Sequence, residues 1–395
     1  MSYRTNARLA AVAEPPIAEA HGWIAGRRFP AEKPLIDVAQ AVPGYPPPAA
    51  LTRHLAEIAT VPQTSRYTEI EGIPPLREAL AAHMSQFYGS TIAAAQVAIT
   101  AGCNQAFCLA AMALAEAGDE IILPLPWYFN HRMWLDMLGI KTVPLAFRPD
   151  RGGVPDPDEA ARLIGPRTRA LVLVSPNNPT GAVYSPSTIA AFRDLCRARG
   201  IALIIDETYK DFLAAPGRPH ELFAAPDWDA TVVQLYSFSK VFCLTGYRVG
   251  SIIAGQALVA EIAKAMDCIA ICAPRIGQEA ALYGLKHLDH WREANRVLMG
   301  ERVAALRAAF AQHDTGYELV SAGAYFAYLR HPFRGTPARE VAKRLAEEEN
   351  MLCLPGGMFG AEQEDYLRFA FANVEAAVMP EIARRLARSA RRAGR

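Results

Sequence analysis

The chain has 395 residues, of which 51% are apolar, and a formal net charge of +1. That length supports a large core and more than one domain, and the balanced charge argues against a nucleic-acid partner. No apolar run approaches the ~18 residues of a membrane span, and the opening MSYRTNARLAAVAEPP has no signal-peptide core, so no membrane partner and a cytoplasmic location are expected.

Residues 1–46 are broken by prolines and read as an arm over the surface, packing with the smaller domain described below. From 47 to 285, β-branched runs alternate with helical stretches. The strands expected are 96–100, 120–124, 141–147, 169–175, 201–206, 231–237 and 248–254. Several are apolar on both faces, which suits a parallel sheet buried by helices. Helical stretches such as SPSTIAAFRDLCRARG begin on a capping residue and end on glycine. The pattern predicts an α/β fold with a mostly parallel, seven-stranded, doubly wound sheet. From 286 to 395 the pattern changes to a smaller α+β domain. It has a long amphipathic helix over 292–313, strands in GAYFAYL, MLCLPG and YLRFAFA, and a closing helix. The tail carries arginines at 384, 385, 388, 391, 392 and 395. A nucleic-acid arm is one reading, and a last helix with cations at its C-terminus is the plainer one. The seven cysteines form no C-x-x-C pair and the nine histidines no H-E-x-x-H, so reduced thiols and no metal are expected.

Ligands of open α/β sheets gather at the carboxyl ends of the strands, so the residues just after each run are informative. After QVAIT comes AGCNQ, where Gly102 opens a helix whose first amides, at Cys103 and Asn104, suit an anion. An ordinary strand–helix turn is the alternative. After EIILP comes LPWYFNH, whose aromatics stack on a flat ring or pack in the core. After RALVLVS comes PNNPTG, a defined turn that also sets the amide of Asn178 at the mouth of the sheet. Asp206 ends the apolar strand IALII, where a carboxylate needs a partner or serves as an N-cap. Lys240 comes just after TVVQLYS. An amine in an apolar mouth has a lowered pKa and becomes nucleophilic. Ser237, Ser239 and Arg248 around it make an anion cradle, with the planar fork of arginine suited to phosphate. One ligand fits the set: a flat aromatic ring carrying a phosphate, a ring nitrogen and an aldehyde, which is pyridoxal 5′-phosphate.

SPNNPTG, DETY and SFSKVFCLTGYRVG, in that order, resemble the class I/II aminotransferases of pyridoxal-phosphate fold type I (aspartate aminotransferase-like). The likeness runs from IDVAQAVPGYPPP to LRFAFANV. It implies that Lys240 joins the cofactor aldehyde and later shuttles the proton, and that Asp206 keeps the ring nitrogen protonated. Tyr209 and Asn178 then bond the ring hydroxyl oxygen. Ser237, Ser239, Arg248 and the Gly102–Cys103–Asn104 turn hold the phosphate. Tyr128 stacks on the ring, with Trp127 the alternative if the alignment shifts by one. RYTEIEGIPPLREAL resembles the stretch whose tyrosine, here Tyr67, reaches the phosphate of a neighbouring subunit, which implies a homodimer with shared sites. YLRFAFA resembles the strand whose arginine, here Arg368, grips the substrate α-carboxylate. One departure bears on substrate range: AQAVP places Ala41 where the family often has a glycine near the substrate.

The implied chemistry is amino transfer between an L-amino acid and a 2-oxo acid, with Lys240 as base and then acid, in ping-pong order. The same scaffold also hosts C–S β-lyases, racemases and decarboxylases, which share the lysine and aspartate. A sensing domain of a transcription regulator is a third reading, disfavoured because the likeness begins by about residue 36. Tyr45 and Trp127 favour a neutral or aromatic side chain. No second arginine is clearly placed for a dicarboxylate, although a loop such as APRIGQ, with Arg275, could supply one, and broad specificity is an equal alternative.

Overall fold

The computed structural model describes residues 4–392. The first eight strands are β1 (Ile36–Asp37), β2 (Val97–Thr100), β3 (Glu120–Pro124), β4 (Lys141–Leu145), β5 (Thr168–Val174), β6 (Ala202–Asp206), β7 (Val232–Ser237) and β8 (Gly250–Ile253). β2 to β8 form one seven-stranded sheet in the order β2-β8-β7-β6-β5-β3-β4. Only β8 runs against its neighbours, and the other pairings are parallel.

Side chains on a strand alternate between faces, and this sheet buries both. Leu171, Leu173, Leu203 and Ile205 enter one core. Ala170, Val172 and Ile204 enter the other, together with Ala106, Phe107 and Ala110 of the helix Cys103–Leu114. The strands therefore read as continuous apolar runs. The helix Pro186–Arg199 is capped by Ser185, whose Oγ accepts from the Thr188 amide at 3.1 Å, and it stops at Gly200.

Beyond the helix Asp289–Gln312 lie β9 (Glu318–Gly323), β10 (Phe326–Arg330), β11 (Met351–Leu352), β12 (Leu354–Pro355) and β13 (Tyr366–Ala370). A four-stranded sheet has the order β12-β13-β10-β9, and β1 pairs in parallel with β11. Two details differ from the expectation. MLCLPG is two strands that divide at Cys353, because β11 pairs with the arm and β12 with β13. GAYFAYL begins as a turn, with Ala324 at φ +45°, and β9 before it completes a hairpin that the sequence reading missed. Leu367 and Phe369 of β13 point into the core of this unit. Arg368 and Ala370 point the other way, and Ala370 joins Tyr209 and Phe326 in a separate cluster against the large sheet.

The closing helix runs Met379–Arg392. Its arginines are matched by acids: Arg384, Arg385 and Arg388 reach Glu381, Arg388 also reaches Glu349, and Arg392 reaches Glu348. Arg385 is buried and donates to the carbonyls of Pro34, Glu349 and Asn350 at 2.8–2.9 Å. The basic run thus clamps the arm to the small sheet unit, and Arg395 lies outside the described residues. No described helix is long and apolar enough to cross a membrane.

Candidate active site

The strand directions decide which residues meet. β2, β3, β5, β6 and β7 all run the same way, so the residues just past their C-terminal ends gather at one edge of the sheet. β8 runs oppositely, so its start meets that edge: Gly250 sits opposite both Thr100 and Ser237. That is why Arg248 precedes its strand while the other site residues come after theirs. A cavity of about 150 Å³ opens here, with Asp206 and Tyr209 beside Lys240 and Asn178. Cys103, Asn104, Tyr128, Ser237, Ser239 and Arg248 complete its walls along with Val174 and Thr208.

Asp206 continues the face of Ile204, so it lies over the start of the helix Cys103–Leu114. Its Oδ1 accepts from the Thr208 amide at 2.9 Å, from Thr208 Oγ1 at 2.7 Å, and from the Cys103 thiol at 3.6 Å. His131 Nε2 stands 3.6 Å from Oδ2, with its ring stacked on Phe107 at 3.8 Å. Burial pushes the Asp206 pKa up, but His131 and Thr208 outweigh it and hold the carboxyl below its ordinary value. The next residue, Glu207, faces the opposite side. It accepts from Tyr88 at 2.5 Å and from Gln234, and His220 Nε2 lies 3.0 Å from it. The two adjacent acids therefore never compete for one partner.

Lys240 lies in the last turn of the short helix Phe238–Val241, which is capped by Ser237 Oγ accepting from the Ser239 amide at 3.2 Å. Its Nζ donates to the Ala41 carbonyl at 2.6 Å. Burial first, then the charges of Arg248 and Arg368, lower its pKa to about 8. Ala41 thus enters the site through its backbone, carried there by the arm.

The anion cradle is close-built. Gly102 has φ +84°, and a Cβ there would collide with the Arg248 guanidinium. A Cβ at Gly250 would meet the Cys103 nitrogen at 2.7 Å. Arg248 itself has φ +51° and donates to the carbonyls of Thr245 at 3.0 Å and Ala101 at 3.4 Å. The first amides of a helix with no residue before them to bond are the donors an anion uses. Tyr128 donates to Asn104 at 3.3 Å and stands edge-on to His131, while Trp127 faces a different groove.

PNNPTG divides its labour. Asn177 holds the turn, accepting from the Thr180 amide at 3.0 Å and from its hydroxyl at 2.9 Å. Asn178 is left to accept from Arg368 Nη1 at 3.3 Å. Arg368 is 2% exposed, lies over the rings of Phe326 and Phe359, and donates to the Ala39 carbonyl. It has no carboxylate among the described residues, and its Nε has no partner. Burial lowers its pKa to about 10. An unpaired buried guanidinium is costly unless an anion completes it.

Two expected residues lie elsewhere. Tyr67 is 74% exposed and outside the cavity of its own chain. Arg275 is occupied by Glu279 at 3.3 Å. The sequence reading missed Thr208 and His131. Thr208 had a signal in its i+2 spacing from Asp206, which favours an Asx turn. His131 had only its place in the helix after β3. Among the described residues, no cluster of His, Cys, Asp and Glu is placed to hold a metal.

The family model for aminotransferase class I and II matches residues 32–386. An aspartate aminotransferase of Pyrococcus horikoshii is 28% identical over 78% of this chain and 79% of its own length. An aromatic aminotransferase of Arabidopsis thaliana is 29% identical over 89% and 88%. Among solved structures, the aspartate aminotransferase of Thermus thermophilus with maleate superposes at a TM-score of 0.89 with 24% identity, covering 98% of this chain and 100% of that one. The N-succinyldiaminopimelate aminotransferase of Mycobacterium tuberculosis gives 0.88 with 26% identity, covering 98% and 100%.

Proposed function

We propose that this chain, which belongs to the class I and II aminotransferases, moves an amino group between an L-amino acid and a 2-oxo acid in the cytoplasm, with pyridoxal 5′-phosphate as its cofactor. The observation that carries the reading is the pairing, in one cavity, of an amine whose pKa is lowered to about 8 with a buried, ionised aspartate. The cofactor supplies an electron sink for the carbanion left when the α-proton departs.

The residues present fit that group. Asp206 accepts a proton-bearing ring nitrogen, because His131 and Thr208 keep it ionised. Asn178 and Tyr209 offer donors for a ring oxygen. Ser237, Ser239, Arg248 and the first amides after Gly102 take the phosphate, and the missing Cβ of Gly102 leaves room for the Arg248 guanidinium beside those amides. Arg368 takes the substrate α-carboxylate through its planar fork, and Asn178 orients it. Lys240 takes the α-proton on Nζ and returns it one step later, which a pKa near 8 allows in both directions. Phe359 and Phe326 keep water from the guanidinium. We read 47–285 and 286–395 as the two domains that close on this site, with 1–46 as an arm packing with the smaller one.

The test is the visible absorption of the cofactor-loaded protein as amino acids are added singly. Loss of the band by one amino acid, and its return with a 2-oxo acid, is the expected result. Release of pyruvate and ammonia from a cysteine conjugate, with no recoverable band, would instead identify a β-lyase.

A further inference from the structure

We propose that Thr208 is a positioning residue that commits one oxygen of Asp206, so that the other oxygen is left to take the proton on the ring nitrogen. This rests on the pyridoxal-phosphate reading above. A carboxylate has about four lone-pair sites, two on each oxygen. Oδ1 already receives the Thr208 amide at 2.9 Å, the Thr208 hydroxyl at 2.7 Å and the Cys103 thiol at 3.6 Å. Among the described residues Oδ2 accepts no direct hydrogen bond, and His131 Nε2 stands 3.6 Å from it. The acceptor capacity that remains is therefore on Oδ2.

Geometry supports the assignment twice over. Thr208 itself borders the cavity, beside the carboxyl group that its hydroxyl bonds. Its two donors lie on one residue, and together they fix both the position and the rotation of the carboxyl group. The Cys103 thiol approaches the same oxygen from the helix start. It stays protonated, because burial raises its pKa well above the usual thiol value. It therefore acts as a third donor and not as a competing anion. Without the hydroxyl, Oδ1 keeps the Thr208 amide and the Cys103 thiol but loses its shortest donor, at 2.7 Å, a charge-assisted bond of the stronger kind, so the carboxyl is held less firmly about its last bond.

The experiment loads wild-type, Thr208→Ser and Thr208→Val proteins with pyridoxal phosphate carrying ¹⁵N in the ring. It tracks the ring-nitrogen chemical shift with pH, together with the rate of cofactor loss on dilution. Valine keeps the shape of threonine and removes the hydroxyl, while the backbone amide still donates to Oδ1. The wild-type and serine proteins are expected to hold the ring proton over the same pH range. The valine protein is expected to lose it at lower pH and to release cofactor roughly ten-fold faster, the usual effect of one hydrogen bond to a charged group. A valine protein whose ring nitrogen titrates as in the wild type would overturn the role of Thr208 while leaving the cofactor assignment standing. A wild-type protein that binds the cofactor with an unprotonated ring would overturn the Asp206 reading, and this inference with it.

Discussion

Lys240 must be uncharged to attack an aldehyde, yet an ordinary lysine is charged below pH 10.5. Burial and the nearby Arg248 and Arg368 charges resolve this by disfavouring the ammonium form. Because the folded pKa is lowered, the reactive amine gains population as pH rises through about 8 and is complete well before the ordinary lysine range. The rate at which cofactor-free protein takes up pyridoxal phosphate should rise with pH and level off just above that value, as stopped-flow absorbance would record. A rate still climbing near pH 10.5 would mean that the amine is ordinary. Arg368 invites a different measurement. Its fork is matched to a carboxylate, and its Nε has no partner among the described residues. Lysine keeps the charge and loses the fork. Arg368→Lys should raise KM for the amino acid by roughly a hundredfold through the lost paired bonds, while the cofactor remains bound. An unchanged KM would remove Arg368 from the substrate.

The elements bring these residues together by close backbone approach. Gly181, with φ +73°, ends the PNNPTG turn against the β9–β10 hairpin, where an added Cβ would collide with the Phe326 carbonyl and meet the Gly323 nitrogen at 2.6 Å. Gly181→Ala must push the small sheet away from the turn, and with it Arg368 from Asn178. It should cost about 2 kcal/mol or more of stability, from the strained backbone and the forced separation. Denaturant midpoints would measure this, and KM for the amino acid should rise more than the cofactor affinity falls. Equal stability and KM would show that the hairpin yields freely. The sequence made part of this geometry legible. The large-sheet strands could be read because both faces are buried, and the polar residues at their ends, each with an ordinary reading alone, were complementary as a set. Arg368 was legible only through its likeness to a family, because a cation on a short alternating strand looks like any surface residue. The split at Cys353 and the strand β9 were hidden, since pairing with a distant arm or a hairpin partner leaves no local mark. Thr208, inside DETY, carried no role of its own in the sequence. Its partner is two residues away, but its role depends on Cys103 and His131, which come from other helices.

At the scale of the whole molecule, several large apolar side chains are exposed. Tyr67 is 74% exposed, Ile269 52% and Ile271 37%. The segment bearing Tyr67 is tied to that bearing Ile271, since the Thr68 amide reaches Cys272 Sγ at 3.4 Å and Gln278 reaches Thr68 at 3.1 Å. The segments that carry Tyr67 and Ile271 therefore lie side by side and form one surface patch. Arg248, in the wall of the cavity, is also exposed. A second copy covering this patch would bury the aromatic ring and carry Tyr67 toward the cradle of its neighbour, which is the arrangement the family likeness implies. Sedimentation should then give twice the chain mass. The Tyr67→Phe protein should remain a dimer but release cofactor several-fold more readily, by loss of one hydrogen bond to a charged group. Dilution supplies the sharper discrimination. If each site borrows a tyrosine, activity per chain falls as the copies separate, and added cofactor recovers part of it, because the remaining cradle lies within one chain. A protein that is monomeric at every concentration and fully active would show that Arg248, the serines and the helix amides hold the phosphate unaided. The exposed tyrosine would then need another explanation.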